Sequence, residues 1–316
     1  MFHNFNEKMS KLCHAVNGKK VILWGWGMSG KFIYLYFKGL NRKIECVIDD
    51  GFKTELDILG VKSHHALEYY DPETTVILVT PYKGADDIKI LCREYGFYDV
   101  ILIRRLFYEN EPFRELDYYP WIEYEYGLNL VQGRTIEEAE PGAEGCKTEE
   151  FHDYWPGKGI VLESVLSNFM FDEKDAVFDF GCGKGASFFM FAKAGVLRGG
   201  GIEFDRNLYD LAVENTDKLN RVMGSRFSVS CGDAATYTDI DEYNYFYMFD
   251  PFDGECFATV IGNIEDSYRR RLRKIVLIYM APTCHKQVLE HGMFKFSYQV
   301  KSLFTVTKTA NIYVLE

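Results

Sequence analysis

Four acidic residues and a run of glycines in the second half of the chain stand where they could do chemistry. Asp179 is followed by Gly181, Gly183 and Gly185 in AVFDFGCGKG, and Glu203 closes the apolar run GGGIEFD. Asp233 and Ala234 end RFSVSCGDA, and Asp250, Pro251 and Phe252 follow YNYFYMF. Each group follows a short apolar stretch with the pattern of a strand, so each acid falls at a strand end. Glycines in such a turn let the backbone pass beneath a ligand, because a Cβ would obstruct the turn and the close approach. A carboxylate at the tip of the second strand can accept hydrogen bonds from both hydroxyls of a ribose. Asp233 can accept from an adenine amino group while the Ala234 amide donates to a ring nitrogen. Asp250, Pro251 and Phe252 reach the fourth strand tip, where ligands of open α/β sheets converge. Each residue also has a plainer reading: tight packing for the glycines, solvated strand-end acids for Glu203 and Asp233, core packing for Phe252. Motifs at four successive strand ends favour the ligand site.

The elements that must hold these residues alternate. A helix-like segment from Ile160 to Phe169 precedes the first strand, SFFMFAKAG and LYDLAVENTDKLNRV read as helices, and KIVLIYMAP is a fifth strand. FKFSYQVKSLFTVTKTANIYVLE adds two strands with no helix between them. This predicts an α/β fold with a mostly parallel, seven-stranded sheet carrying one antiparallel strand. Nearer the start, KKVILWGWGMSGKFIYLYFKGLNRKIECVIDD is a strand, a glycine turn, an amphipathic stretch and a second strand. With TVILVTP at 75–81 and YDVILI at 98–103 it makes a smaller Rossmann-like α/β domain over residues 1–106. Residues 107–150 are acidic and aromatic, with Pro and Gly interruptions, and read as a connector that packs between domains or over a ligand; residues 151–316 form the second domain.

Glycine loop, ribose acid, adenine acid and DPF together resemble the class I S-adenosylmethionine-dependent methyltransferases, from about Phe151 to Glu316. The resemblance implies that fold's strand order, with S-adenosyl-L-methionine as cofactor. Asp179, Gly181, Gly183 and Gly185 would then face its methionine part, Glu203 its ribose, and Asp233 with Ala234 its adenine. More narrowly, FYMFDPFDGECFATVIGNIEDSYRRRLRKIVLIYMAP is similar to a bacterial subgroup with NPF at this strand end; here Asp250 replaces the Asn, and Ala281-Pro282 stands for a later Asn-Pro. Methyl transfer is an in-line displacement from a sulfonium, so positioning carries most of the catalysis. A base is needed for a hydroxyl or carbon acid, and Asp250 and His152, the latter in FHDYWPG, are the candidates. Tyr154, Pro251 and Phe252 are candidate substrate contacts. A small-molecule or glycan-related acceptor is expected. DPF differs from the DPPY or NPPY of enzymes that methylate planar amines, which argues against an adenine or glutamine acceptor.

In the first domain Gly25, Gly27 and Gly30 in GWGMSG, with Asp49 or Asp50 about 20 residues on, fit a dinucleotide fingerprint. Residues 19–103 resemble the nucleotide-sugar-binding domain of bacterial sugar acyltransferases and of proteins in polysaccharide biosynthesis. Trp26 is bulky where a pyrophosphate would lie, so a scaffolding or dimerising domain, and with it a homodimer, is the competing reading. The run Arg269, Arg270, Arg271, Arg273, Lys274 suits phosphate, though a solvated approach to the fifth strand explains it too. A net charge of −11 and a pI near 5.2 disfavour nucleic-acid and anionic-membrane partners. No apolar run is long enough to span a membrane, no Cys/His spacing suggests a metal, and a cytoplasmic protein is expected. Two other functions compete: an oxidoreductase using a nicotinamide or nucleotide-sugar, and a sensor that binds S-adenosylmethionine or a nucleotide without turnover.

Overall fold

The computed structural model describes residues 3–51, 61–107, 116–141, 150–301 and 308–316. Parts of the expected connector (108–115 and 142–149) and residues 302–307 of the C-terminal stretch lie outside the described residues. The chain divides into two compact units, residues 2–125 and 126–316.

The first unit is a four-stranded parallel sheet of β1 (Lys20–Trp24), β2 (Cys46–Ile48), β3 (Thr75–Val79) and β4 (Val100–Leu102), in the order β2-β1-β3-β4. β3 is buried along its whole length, as a strand covered by helices on both faces must be. Helices α1 (His3–Ala15), α2 (Met28–Gly39), α3 (Ala85–Glu94), α4 (Ile103–Phe107) and α5 (Tyr118–Tyr126) complete it. Phe5, Met9 and Leu12 recur at helical spacing along α1 and are fully buried. The aromatic stretch expected to be connector is helical instead. Tyr118 and Trp121 of α5 each place their ring centroid 5.6 Å from that of Phe5, so the first unit's core extends past the expected limit of 106. Pro120 sits in the first turn of α5, where a missing N–H leaves no bond unmade.

The second unit holds seven strands: β5 (Val177–Phe180), β6 (Arg198–Glu203), β7 (Arg226–Cys231), β8 (Tyr245–Phe249), β9 (Ile275–Met280), β10 (Lys295–Lys301) and β11 (Lys308–Leu315). Their order is β10-β11-β9-β8-β5-β6-β7, all parallel except β11, which runs antiparallel to both neighbours. This is the Rossmann-like α/β sheet expected from the sequence. The chain reverses direction of winding at β5, which has β6 on one side and β8 on the other, so the crevice of a doubly wound sheet opens at its carboxyl end. Helices α6 (Gly159–Leu166), α7 (Ala186–Lys193), α8 (Arg206–Met223), α9 (Gly254–Arg270) and α10 (His285–Glu290) cover the sheet. Phe257, Val260, Ile261 and Ile264 of α9 share one buried cluster with Phe246, Met248, Leu277 and Tyr279. No helix among the described residues is long and apolar enough to cross a membrane.

Candidate functional site

β5 carries Asp179 into the sheet interior, where Ser187 donates a hydrogen bond to its carboxylate. Burial pushes this carboxyl up to about 8. The following turn places Gly181, Gly183 and Gly185 in the left-handed region, at φ 73°, 53° and 73°. A Cβ on Gly181 would come within 2.5 Å of Pro251 Cβ, and one on Gly183 would overlap the Tyr154 ring. The glycine loop is thus packed between the DPF strand end and the FHDYWPG segment.

Glu203, at the end of β6, is 7% exposed. Its Oε2 accepts from the Gly183 amide at 2.8 Å and its Oε1 from the Asp205 amide at 2.9 Å, while burial pushes its carboxyl up to about 7. Asp205 in turn caps α8 by accepting from the Asn207 amide at 2.9 Å. Asp233, half-buried beyond β7, accepts from the Ala235 amide at 2.8 Å and leaves its second oxygen outside that turn bond; Ala234 is buried beside it. The acids at the ends of β5, β6 and β7 and the three glycines are therefore together at one end of the sheet.

The fourth strand end is strained. Asp250 has φ 44° and Ala281, at the end of neighbouring β9, has φ 46°, although each precedes a proline and neither is glycine. The Asp250 carboxylate accepts from the Tyr279 hydroxyl at 3.3 Å and from the Thr283 hydroxyl. His152 joins it: Nδ1 lies 2.7 Å from the Asp250 carbonyl oxygen, and Nε2 lies 3.6 Å from an Asp253 carboxylate oxygen. Pro251 covers Gly181, but Phe252 is buried in the core beside Phe257. Tyr154 is turned into the protein, its hydroxyl donating to the Leu130 carbonyl at 2.9 Å, and burial holds its phenol well above the usual range.

Sequence reasoning missed Tyr279 and Thr283, although both flank the Ala281-Pro282 pair that it singled out. It also missed Lys184, which is buried inside the glycine loop and donates to Asn129 Oδ1 at 2.6 Å and to the Gln132 carbonyl at 2.8 Å. A lysine in a loop reads as solvated until the segment that covers it is known. The cationic run is matched by acids: Arg269 with Asp266, Arg270 with Asp241, Arg271 with Glu242 and Lys274 with Glu316.

The first unit repeats part of this design. Gly25 has φ 104°, and a Cβ on Gly30 would overlap the Gly25 carbonyl, so these two glycines set the close packing of α2 on the turn. Gly27 opens α2 with no side-chain cap and with open space beside it. Asp49, the expected ribose acid, accepts from the Trp26 amide at 2.7 Å and the Gly51 amide at 3.0 Å, as Glu203 does with its own loop. Asp50 instead accepts from the His64 amide at 2.9 Å.

In their kinds and places the second unit's residues suit an adenosyl sulfonium: a left-handed glycine loop after the first strand, one carboxylate at the second strand tip and another at the third. No family model matches the chain, and no curated protein matches it. Among solved structures it is similar to a TehB-like S-adenosylmethionine-dependent methyltransferase from Corynebacterium glutamicum, at 16% identity over 50% of this chain and 89% of that one, with a TM-score of 0.36. The magnesium protoporphyrin IX methyltransferase of Synechocystis gives 17% identity, 49% and 76% coverage and a TM-score of 0.36. A glycopeptide N-methyltransferase gives 10% identity, 49% and 92% coverage and a TM-score of 0.40. The fold assignment rests on the strand order and pairing given above.

Proposed function

We propose that the second unit binds S-adenosylmethionine and transfers its methyl group to a small-molecule or glycan-related acceptor. One observation carries this reading: Asp179 with its glycines, Glu203, Asp233 and Asp250 end four adjacent parallel strands around the switch point of the sheet. When bound, the cofactor supplies a methyl group already activated for displacement. The chain's part is to position and to handle protons. Asp179, Gly181, Gly183 and Gly185 form the floor of the methionine end, with Glu203 and Asp233 in reach of the ribose and adenine ends.

Asp250 and His152 stand together at the acceptor side, with Pro251 beside them. The Asp250 carbonyl can only accept, so the neutral His152 ring carries its proton on Nδ1 and its lone pair on Nε2. With the cofactor bound, the Asp250 carboxylate takes the proton of a hydroxyl acceptor. Titration calorimetry with S-adenosylhomocysteine, NAD and UDP-sugars tests the reading and also probes the GWGMSG loop of the first unit. We expect S-adenosylhomocysteine to bind, and Glu203→Ala to weaken it by about 1–3 kcal/mol, the usual loss for a truncated charge-assisted contact. A folded Glu203→Ala protein with unchanged affinity would remove Glu203 from the site. Binding of NAD in place of S-adenosylhomocysteine would move the function to the oxidoreductase reading.

A further inference from the structure

The surface that the cofactor needs is covered by the chain itself. The Tyr154 ring lies so close on Gly183 that one added carbon atom on that glycine would overlap it. The ring thus occupies the side of Gly183 to which a Cβ would point. Three positions earlier in the same segment, Phe151 places its ring 4.7 Å from Phe204, the residue after Glu203, and 6.1 Å from Phe252. One aromatic ring therefore rests on the glycine loop and another beside the tip of β6. The Glu203 carboxylate is meanwhile occupied by the Gly183 and Asp205 amides.

We infer that Phe151–Tyr154 is a strap that competes with the cofactor for the cleft at the ends of β5, β6 and β8, an inference that rests on the function proposed above. Its fastenings involve both side chains and backbone: the Tyr154 hydroxyl donates to the Leu130 carbonyl at 2.9 Å, His152 Nδ1 lies 2.7 Å from the Asp250 carbonyl oxygen, and the Asp153 carboxylate accepts from the Ile136 amide at 2.8 Å. The His152 amide donates to the Pro251 carbonyl at 3.0 Å, the Tyr154 amide to the Arg134 carbonyl at 2.8 Å, and the Arg134 amide back to the Tyr154 carbonyl at 3.2 Å. Arg134 is itself tied by its side chain to Asp205 at 2.6 Å. The strap is thus zipped to a stretch that Asp205 anchors to the start of α8, and it leaves by exchanging these backbone and side-chain bonds for bonds to water while the sheet stays intact. Loading then draws on the fraction of molecules with the strap out, and the apparent affinity is reduced by that fraction. What regulates the site is whatever shifts the strap: its two rings hold the cleft shut until a ligand replaces them.

Calorimetry with S-adenosylhomocysteine and hydrogen exchange on the whole protein test this together. Tyr154→Ala, Phe151→Ala and the double variant should bind S-adenosylhomocysteine at least about tenfold more tightly than the unaltered protein, since a minor open state is commonly populated at roughly 0.1–10%. In the unaltered protein, saturating S-adenosylhomocysteine should speed exchange at the His152, Tyr154 and Arg134 amides; this measurement decides the matter should the variants fail to fold. Unchanged or weakened binding by folded variants overturns the strap while leaving the proposed cofactor in place. So does slower exchange at those amides, which would make the segment a lid that closes on the ligand. Absence of binding in every protein overturns the cofactor reading, and the strap with it.

Discussion

Asp179 and Glu203 are the two buried carboxyls of the glycine loop, and their environment sets a measurable pH dependence. Each has a folded-state pKa raised above its ordinary value by burial, Asp179 to about 8 and Glu203 to about 7. A raised carboxyl means that the folded state binds more protons than the unfolded one between the two pKa values. Stability from these groups is therefore full below about pH 4 and is lost as the pH rises through 7 and 8. Asp179→Asn should flatten this decline, because the amide keeps the shape without the ionisation. Melting temperatures at a series of pH values from 5 to 8 would check it, and parallel profiles for the two proteins would refute the assignment. A second residue-scale expectation concerns Gly183. Gly183→Ala has both a left-handed backbone and the Tyr154 ring against it, so a loss of about 1–3 kcal/mol is expected in urea unfolding.

At the scale of elements, α9 shows how a charge run can be structural. Arg269 and Arg270 occupy its last turn, where cations face the carbonyl end of the helix. Asp241 takes a paired contact from Arg270, and that hydrogen bond holds its carboxyl down to about 2. A depressed carboxyl stabilises the fold above its unfolded pKa, near 4, and the contribution disappears as the pH falls through 2. The pair is substantially exposed, so solvent screening limits its value to roughly 0.5–1 kcal/mol. Asp241→Asn should cost about that much at pH 7 in urea unfolding and nothing at pH 2. An equal cost at both would show that the interaction is not ionic. Phosphate binding was an attractive reading of the arginine run because the sequence displays the cations together, but apart from Asp266 on the same helix their acids lie far off in the chain: Asp241 and Glu242 before β8, and Glu316 after β11.

For the whole molecule, each unit has a buried core of its own, Ile22, Ile77 and Val79 in the first and Phe246, Phe257 and Leu277 in the second. A cavity in one core should then leave a ligand site in the other untouched. Ile77→Ala is expected to lose about 2–5 kcal/mol of stability, the range for truncating a buried aliphatic side chain, with S-adenosylhomocysteine affinity unchanged at temperatures where the protein stays folded. A matching fall in affinity would show that the first unit's packing reaches the second unit's cleft.

The sequence by itself determined the alternation of strands and helices, the antiparallel last strand and the strand-end positions of Asp179, Glu203, Asp233 and Asp250. These follow from periodicity and from glycine, which act over a few neighbouring residues. Helix α1 is legible in the spacing of Phe5, Met9 and Leu12 but was not expected. The buried role of the aromatic stretch in α5 was not legible, because polar residues interrupt its pattern and only the facing Phe5 gives its rings a place. Tertiary structure alone decided what each site residue does with its hydrogen-bonding groups. Glu203 and Gly183 meet because parallel pairing brings β5 and β6 side by side, and Asp250 meets Tyr279 and Thr283 because β8 pairs with β9. It also decided that Tyr154 and Phe151 lie across the cleft. Such contacts join residues far apart in the chain, and their energy depends on burial and distance, which no spacing of residue types encodes.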